Sequence, residues 1–111
     1  MSTPPQSSAE IYEQFRGLIT SGELGAGERL PTVRQVARDL GVALGTAARA
    51  YKMLESDHLV VSRTGAGTTV AADSARLSKD AVVQIRKLVA SARANDDSLD
   101  DVISAVRTAW R

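Results

Sequence analysis

Residues 32–57, TVRQVARDLGVALGTAARAYKMLESD, decide the fold. Thr32 and Gln35 stand three apart in a capping box, so a helix starts at Thr32 or Val33. It buries Val33, Val36, Ala37 and Leu40 and stops at Gly41, about two turns later. After Gly41-Val42-Ala43, with Val42 packed beneath the turn, a further helix runs to about Asp57. Its buried side carries Ala47, Ala50, Tyr51 and Leu54 at spacings of three, one and three. Two short helices joined by a tight glycine turn meet the requirement of a helix-turn-helix.

Working outward, the runs LVVSR (59–63) and TTVAA (68–72) flank TGAG, and β-branched runs around a two-glycine turn predict a hairpin. On the N-terminal side, Ile11, Phe15, Leu18 and Ile19 form the apolar stripe of an amphipathic helix over 8–21, stopped by Gly22. GELGAGERLP (22–31) holds three of the eight glycines and a proline, and reads as a turn-rich connection. Residues 1–7, rich in Ser, Pro and Thr, read as a frayed leader. Helix, helix, helix, hairpin predicts a winged helix-turn-helix over 8–75, a mainly α fold with a small β-hairpin wing.

The tail, 76–111, reads as two more amphipathic helices separated by Asn95-Asp96-Asp97. The first, about 78–94, places Val82, Ile85, Leu88, Val89 and Ala92 on one stripe. The second, from about Ser98, places Leu99, Val102, Ile103, Val106 and Trp110 on another. Two helices this short cannot bury both stripes alone. They pack either on the winged helix of their own chain or on the same hairpin of a second copy, which yields an isologous homodimer. Val82, Ile85, Leu88, Val89, Leu99, Val102, Val106 and Trp110 are the candidate dimerisation residues.

The 111 residues, 43% hydrophobic and 24% charged, suit one globular domain with a small appendage. Absence of cysteine removes disulfides, thiolate metal sites and Cys nucleophiles, and the single histidine, His58, leaves no multi-His metal site. No cofactor, metal or catalytic residue is implied, and the chain is not expected to be an enzyme. His58 reads as a partly exposed residue at a helix end. The pairs Asp96-Asp97 and Asp100-Asp101 lie at a helix start, where capping and the helix dipole explain them. No uninterrupted apolar run of about 18 residues exists, and MSTPPQSSAE lacks the features of a signal peptide, so membrane insertion and export are not expected and the location is expected to be cytoplasmic.

Net charge is only +1, so a nucleic-acid role has to rest on how charge is distributed. Residues 32–63 hold five Lys/Arg (Arg34, Arg38, Arg49, Lys52, Arg63) against three acids, whereas 10–31 hold two arginines against four acids. Opposite the buried stripe of the helix ending near Asp57 lie Gly45, Arg49, Lys52 and Ser56, a basic face without an acid. Such a helix fits the major groove of double-stranded DNA, where guanidinium forks meet guanine edges or phosphates. Ala43 and Gly45 allow close backbone approach, and Thr46 offers a hydroxyl. At the wing, Gly65 and Gly67 permit a sharp turn whose N–H groups, with Arg63, reach phosphate or the minor groove.

The run from Gly22 to Glu55, GELGAGERLPTVRQVARDLGVALGTAARAYKMLE, continued by LVVSRTGAGTTV to Val70, resembles the GntR family of bacterial transcription regulators over about residues 8–72. The two-helix tail and the A-R-A-Y string at 48–51 look like its YtrA-type subfamily. The resemblance implies a homodimeric repressor on a palindromic operator, dimerising through its tail. Its DNA contacts carry over to Thr32, Arg34, Ala43, Leu44, Gly45, Thr46, Arg49, Gly65 and Gly67. Many members have a polar or basic residue where this chain has Leu44, and the subfamily often shows Asn-Pro-Asn where Ala43-Leu44-Gly45 stands. The family often has Glu at Val33 and Val at Ala47. Readout here is therefore expected to lean on Arg34, Arg49 and DNA shape.

Two other functions fit the same pattern. A winged helix can serve a protein partner without DNA. A small-molecule effector could enter between tail and winged helix, although no polar cluster identifies one.

Overall fold

The elements run α1 (Ser8–Thr20), α2 (Val33–Leu40), α3 (Leu44–Ser56), β1 (Val60–Arg63), β2 (Gly67–Val70), α4 (Lys79–Ala94) and α5 (Leu99–Trp110). A computed structural model describes residues 4–74 and 76–111. The chain divides into two compact units, residues 1–77 and 78–111. The boundary expected at 75/76 involves Ala75, which, like leader residues 1–3, lies outside the described residues.

In the first unit α1 and α2 begin where a side chain meets free backbone donors. Ser7 accepts from the Glu10 N–H to start α1, and at α2 the Thr32 hydroxyl accepts from the Gln35 N–H while the Gln35 carboxamide oxygen accepts from the Thr32 N–H. Both orphan donors are thereby satisfied. Gly41 closes α2 with φ of 68°, a left-handed conformation that costs glycine nothing. That turn lets α3 set off at once, its first residue only three positions later.

The core is the convergence of the apolar stripes. Ile11, Phe15 and Ile19 of α1 meet Ala47, Ala50, Tyr51 and Leu54 of α3, with Val36 and Ala37 of α2, Leu59, Val60 and Val70 closing the cluster. The small Ala47 and Ala50 let α1 and α3 approach closely, and Phe15 fills the space edge-on to Tyr51, ring centroids 5.6 Å apart at 87°. Val33, Leu40 and Val42 are half-buried at its margin.

The hairpin is antiparallel, Val60 opposite Val70 and Arg63 opposite Gly67. One feature differs from the sequence reading. The connection expected to be only turns lies along β2: the Leu30 N–H donates to the Thr68 carbonyl (2.8 Å), the Val70 N–H to Glu28 (2.8 Å) and the Gly27 N–H to Val70 (2.9 Å). Arg29 therefore bridges Thr69. This segment has no β-branched run to announce an edge strand, because a single rung is held by main-chain donors alone. The end of the expected leader is also engaged, with Ser7 capping α1 and the Gln6 carboxamide donating to the Leu40 carbonyl (3.4 Å).

In the second unit, Ser78 and Ser98 cap α4 and α5 by accepting from Ala81 and Asp101 N–H groups. Of the tail stripes, only Ala92 is buried. Leu99 is 71% and Trp110 85% exposed, and Ile85, Leu88, Val89 and Val106 are each more than 40% exposed.

Candidate nucleic-acid interface

At the start of α3, Ala43, Leu44 and Gly45 are all exposed. The packed side of α3 is fixed by its contacts with α1 and α2, so the opposite side must face solvent. On it Gly45, Arg49, Lys52 and Ser56 are exposed. A Cβ built on Gly45 would meet nothing within 4 Å, so its backbone is open to a close approach from outside.

The tip of α3 is apolar. Ala43 holds the N-cap position without a side-chain cap, and Leu44, the first helical residue, is 48% exposed. Thr46 is half-buried, its carbonyl accepting from the Ser8 hydroxyl at 2.8 Å. Arg34 is exposed in the first turn of α2. Thr32 is exposed, but its oxygen already accepts the capping hydrogen bond, which leaves the O–H as the free half of the group. Among the described residues, the side chains of Arg34, Arg49, Lys52 and Arg63 make no intramolecular hydrogen bond or ion pair, so their charge is available to a ligand.

At the wing, Arg63 ends β1 and its carbonyl accepts from the Ala66 N–H at 3.1 Å, closing the turn. Gly65 and Gly67 take φ of 83° and 75°, values the tight turn requires and an L side chain resists. Arg29, which the sequence reading passed over, belongs beside them: its guanidinium lies over Gly67, where an added Cβ would fall 2.9 Å from Nε. Its bridge to Thr69 supplies a second cation at the wing, a placement without a sequence signal because it depends on the unannounced rung.

Two tyrosines have raised pKa values. Burial pushes Tyr51 up to about 12. The Tyr12 hydroxyl donates to the Asp57 carboxylate, which, with some desolvation, favours its neutral form. Tyr12, Arg16, Thr20, Ser56, Asp57, His58 and Leu59 line an open groove of about 420 Å³ on the side formed by α1 and the end of α3. His58 is exposed with φ of 60°, a helix-terminating conformation. Among the described residues, no group of three or more His, Cys, Asp or Glu could hold a metal ion, and no helix is long and apolar enough to cross a membrane.

Residues 7–70 match the bacterial regulatory proteins of the gntR family. The chain belongs to the GntR family. It is 49% identical over 64 residues to the HTH-type transcriptional regulator Rv1152 of Mycobacterium tuberculosis, covering 54% of this chain and 53% of that protein. It is 34% identical over 70 residues to the HTH-type transcriptional repressor YtrA of Bacillus subtilis, covering 60% of this chain and 54% of YtrA. The matched stretch thus spans about half the length of these relatives. Among solved structures, the DNA-binding domain of AraR in complex with its operator ORX1 superposes with a TM-score of 0.55 and 30% identity, covering 58% of this chain and 77% of that one. These relatives are regulators of transcription and not enzymes. The GntR winged helix of this chain is accordingly a DNA-binding domain of a transcriptional regulator.

Proposed function

We propose that this GntR-family chain is a homodimeric repressor that binds a palindromic operator in double-stranded DNA. The observation that carries the proposal is the exposed, uncommitted basic face of α3, with Arg34 beside it on α2 and Arg63 and Arg29 at the wing. Each α3 enters a major groove with Arg49 and Lys52 toward base edges and phosphates, Arg34 adds a contact from α2, and the turn at Gly65 and Gly67 follows the flanking backbone. Thr32, Ala43, Leu44, Gly45 and Thr46 complete the surface.

The tail supplies the second copy. The stripes of α4 and α5 leave Ile85, Leu88, Val89, Leu99, Val106 and Trp110 exposed in the single chain, an apolar surface that a like surface would cover. Val82 and Val102, half-buried, extend the same stripes. Two-fold symmetry in the protein requires two-fold symmetry in the site, with half-sites about one helical turn or a small multiple apart. A DNA-bound regulator of this kind works in the cytoplasm, and its repressor action is supported by the name of the Bacillus relative. Footprinting on the DNA upstream of its own gene tests the reading: two protected half-sites related by a dyad are expected, and a single unpaired half-site would contradict it.

A further inference from the structure

We infer that Leu44 reads a thymine methyl group, one per operator half-site, a specificity role that rests on the DNA-binding reading above. The inference begins with what the tip of α3 lacks. Its exposed leading residues are Ala43, Leu44 and Gly45, none of which has a side-chain donor or acceptor, and the first hydroxyl behind them, that of Thr46, belongs to a half-buried residue. Hydrogen-bond readout at the leading end of the helix therefore has no fully exposed side chain to work with. In the major groove the standard bases offer one apolar feature, the C5-methyl of thymine.

Leu44 is placed to use it. It stands at the N-terminal tip, the end that recognition helices present to base edges, and about 80° round the helix from Lys52. Although it opens the helix packed on α1 and α2, it is 48% exposed and is absent from the hydrophobic cluster beneath. Gly45 beside it leaves open space where a side chain would hold the duplex away. A leucine in water at the front of a basic helix gains free energy only when something apolar covers it, and a thymine methyl does so without stranding any polar group.

The test uses the full-length protein and a selection from random double-stranded DNA to obtain its preferred site. Each thymine of that site is then replaced singly by deoxyuridine, which removes the methyl and leaves the pairing intact. Wild type is expected to lose roughly fourfold in affinity at one thymine in each half-site, the worth of one buried methyl group. Leu44→Ala is expected to bind the thymine and uracil versions equally, with Arg49-dependent binding retained. Uracil substitutions that all leave wild-type affinity within about twofold, or a uracil penalty that persists in Leu44→Ala, would overturn the role of Leu44 alone. A selection that enriches no sequence would remove the DNA-binding reading, and this role with it.

Discussion

The hydroxyl of Tyr51 donates to the carbonyl oxygen of Pro31 at 2.5 Å, tying the middle of α3 to the residue before the cap of α2. Because Thr32 then caps α2, this hydrogen bond links α3 to the start of α2, alongside the apolar packing of the two helices.

Tyr51→Phe keeps the edge-on packing against Phe15 but leaves the Pro31 carbonyl without this partner. The expected loss is about 1 kcal/mol in denaturant unfolding. The pH dependence has a definite sign. The folded state raises the Tyr51 pKa from 10.0 to about 12, so the protonated phenol is favoured by folding. Its contribution is complete below pH 10 and is lost as pH rises from 10 through about 12. Wild type should therefore lose more stability than Tyr51→Phe across that window; parallel alkaline profiles would contradict the assignment.

Thr32→Ala removes the oxygen that accepts from Gln35, with an expected cost of about 1 kcal/mol, and Thr32→Ser should restore most of it. Equal stability of Thr32→Ala and wild type in urea would show that the capping box contributes nothing.

Gly67→Ala meets the positive φ of 75°, while the Arg29 guanidinium above it ends a flexible side chain that can swing aside. A loss of about 1–2 kcal/mol is expected, carried by the backbone. Adding Arg29→Ala should therefore leave most of the Gly67→Ala loss in place, and a double variant that regains that loss in urea unfolding would contradict the backbone origin.

Much of this architecture is legible in the chain before any coordinates. The capping box at Thr32 and Gln35, the glycine at 41 and the 3.6-residue stripes are local signals, and local signals set helix starts, stops and faces. The hairpin is equally local. The rung at Arg29 is not, because it is made by main-chain groups that every residue carries, and only the approach of β2 reveals it. The basic face of α3 follows from periodicity, but the apolar character of its tip becomes informative only once Leu44 is seen to stay exposed at the front of the helix. For the tail, sequence shows stripes that need a cover, and Ile85, Leu88, Val89, Leu99, Val106 and Trp110 are exposed; the proposed dimer would cover them.

That assembly carries its own expectation. Ile85→Asp or Val106→Asp places a charge in the proposed dimer seam and should convert a dimer into monomers by light scattering, with weaker operator binding as the consequence. Wild type that is monomeric at micromolar concentration would contradict dimerisation through the tail.

The central claim is that the basic face of α3 binds operator DNA. Fluorescence anisotropy on the DNA upstream of the chain's own gene, against a scrambled duplex, across a salt series, tests it most directly. The account predicts tighter binding to the native duplex, a steep fall of log K with log salt, and a slope shallower by about 1 for each of Arg49→Ala and Lys52→Ala where these residues meet phosphate. Weak, equal binding to both duplexes, with a slope that neither substitution changes, would contradict it.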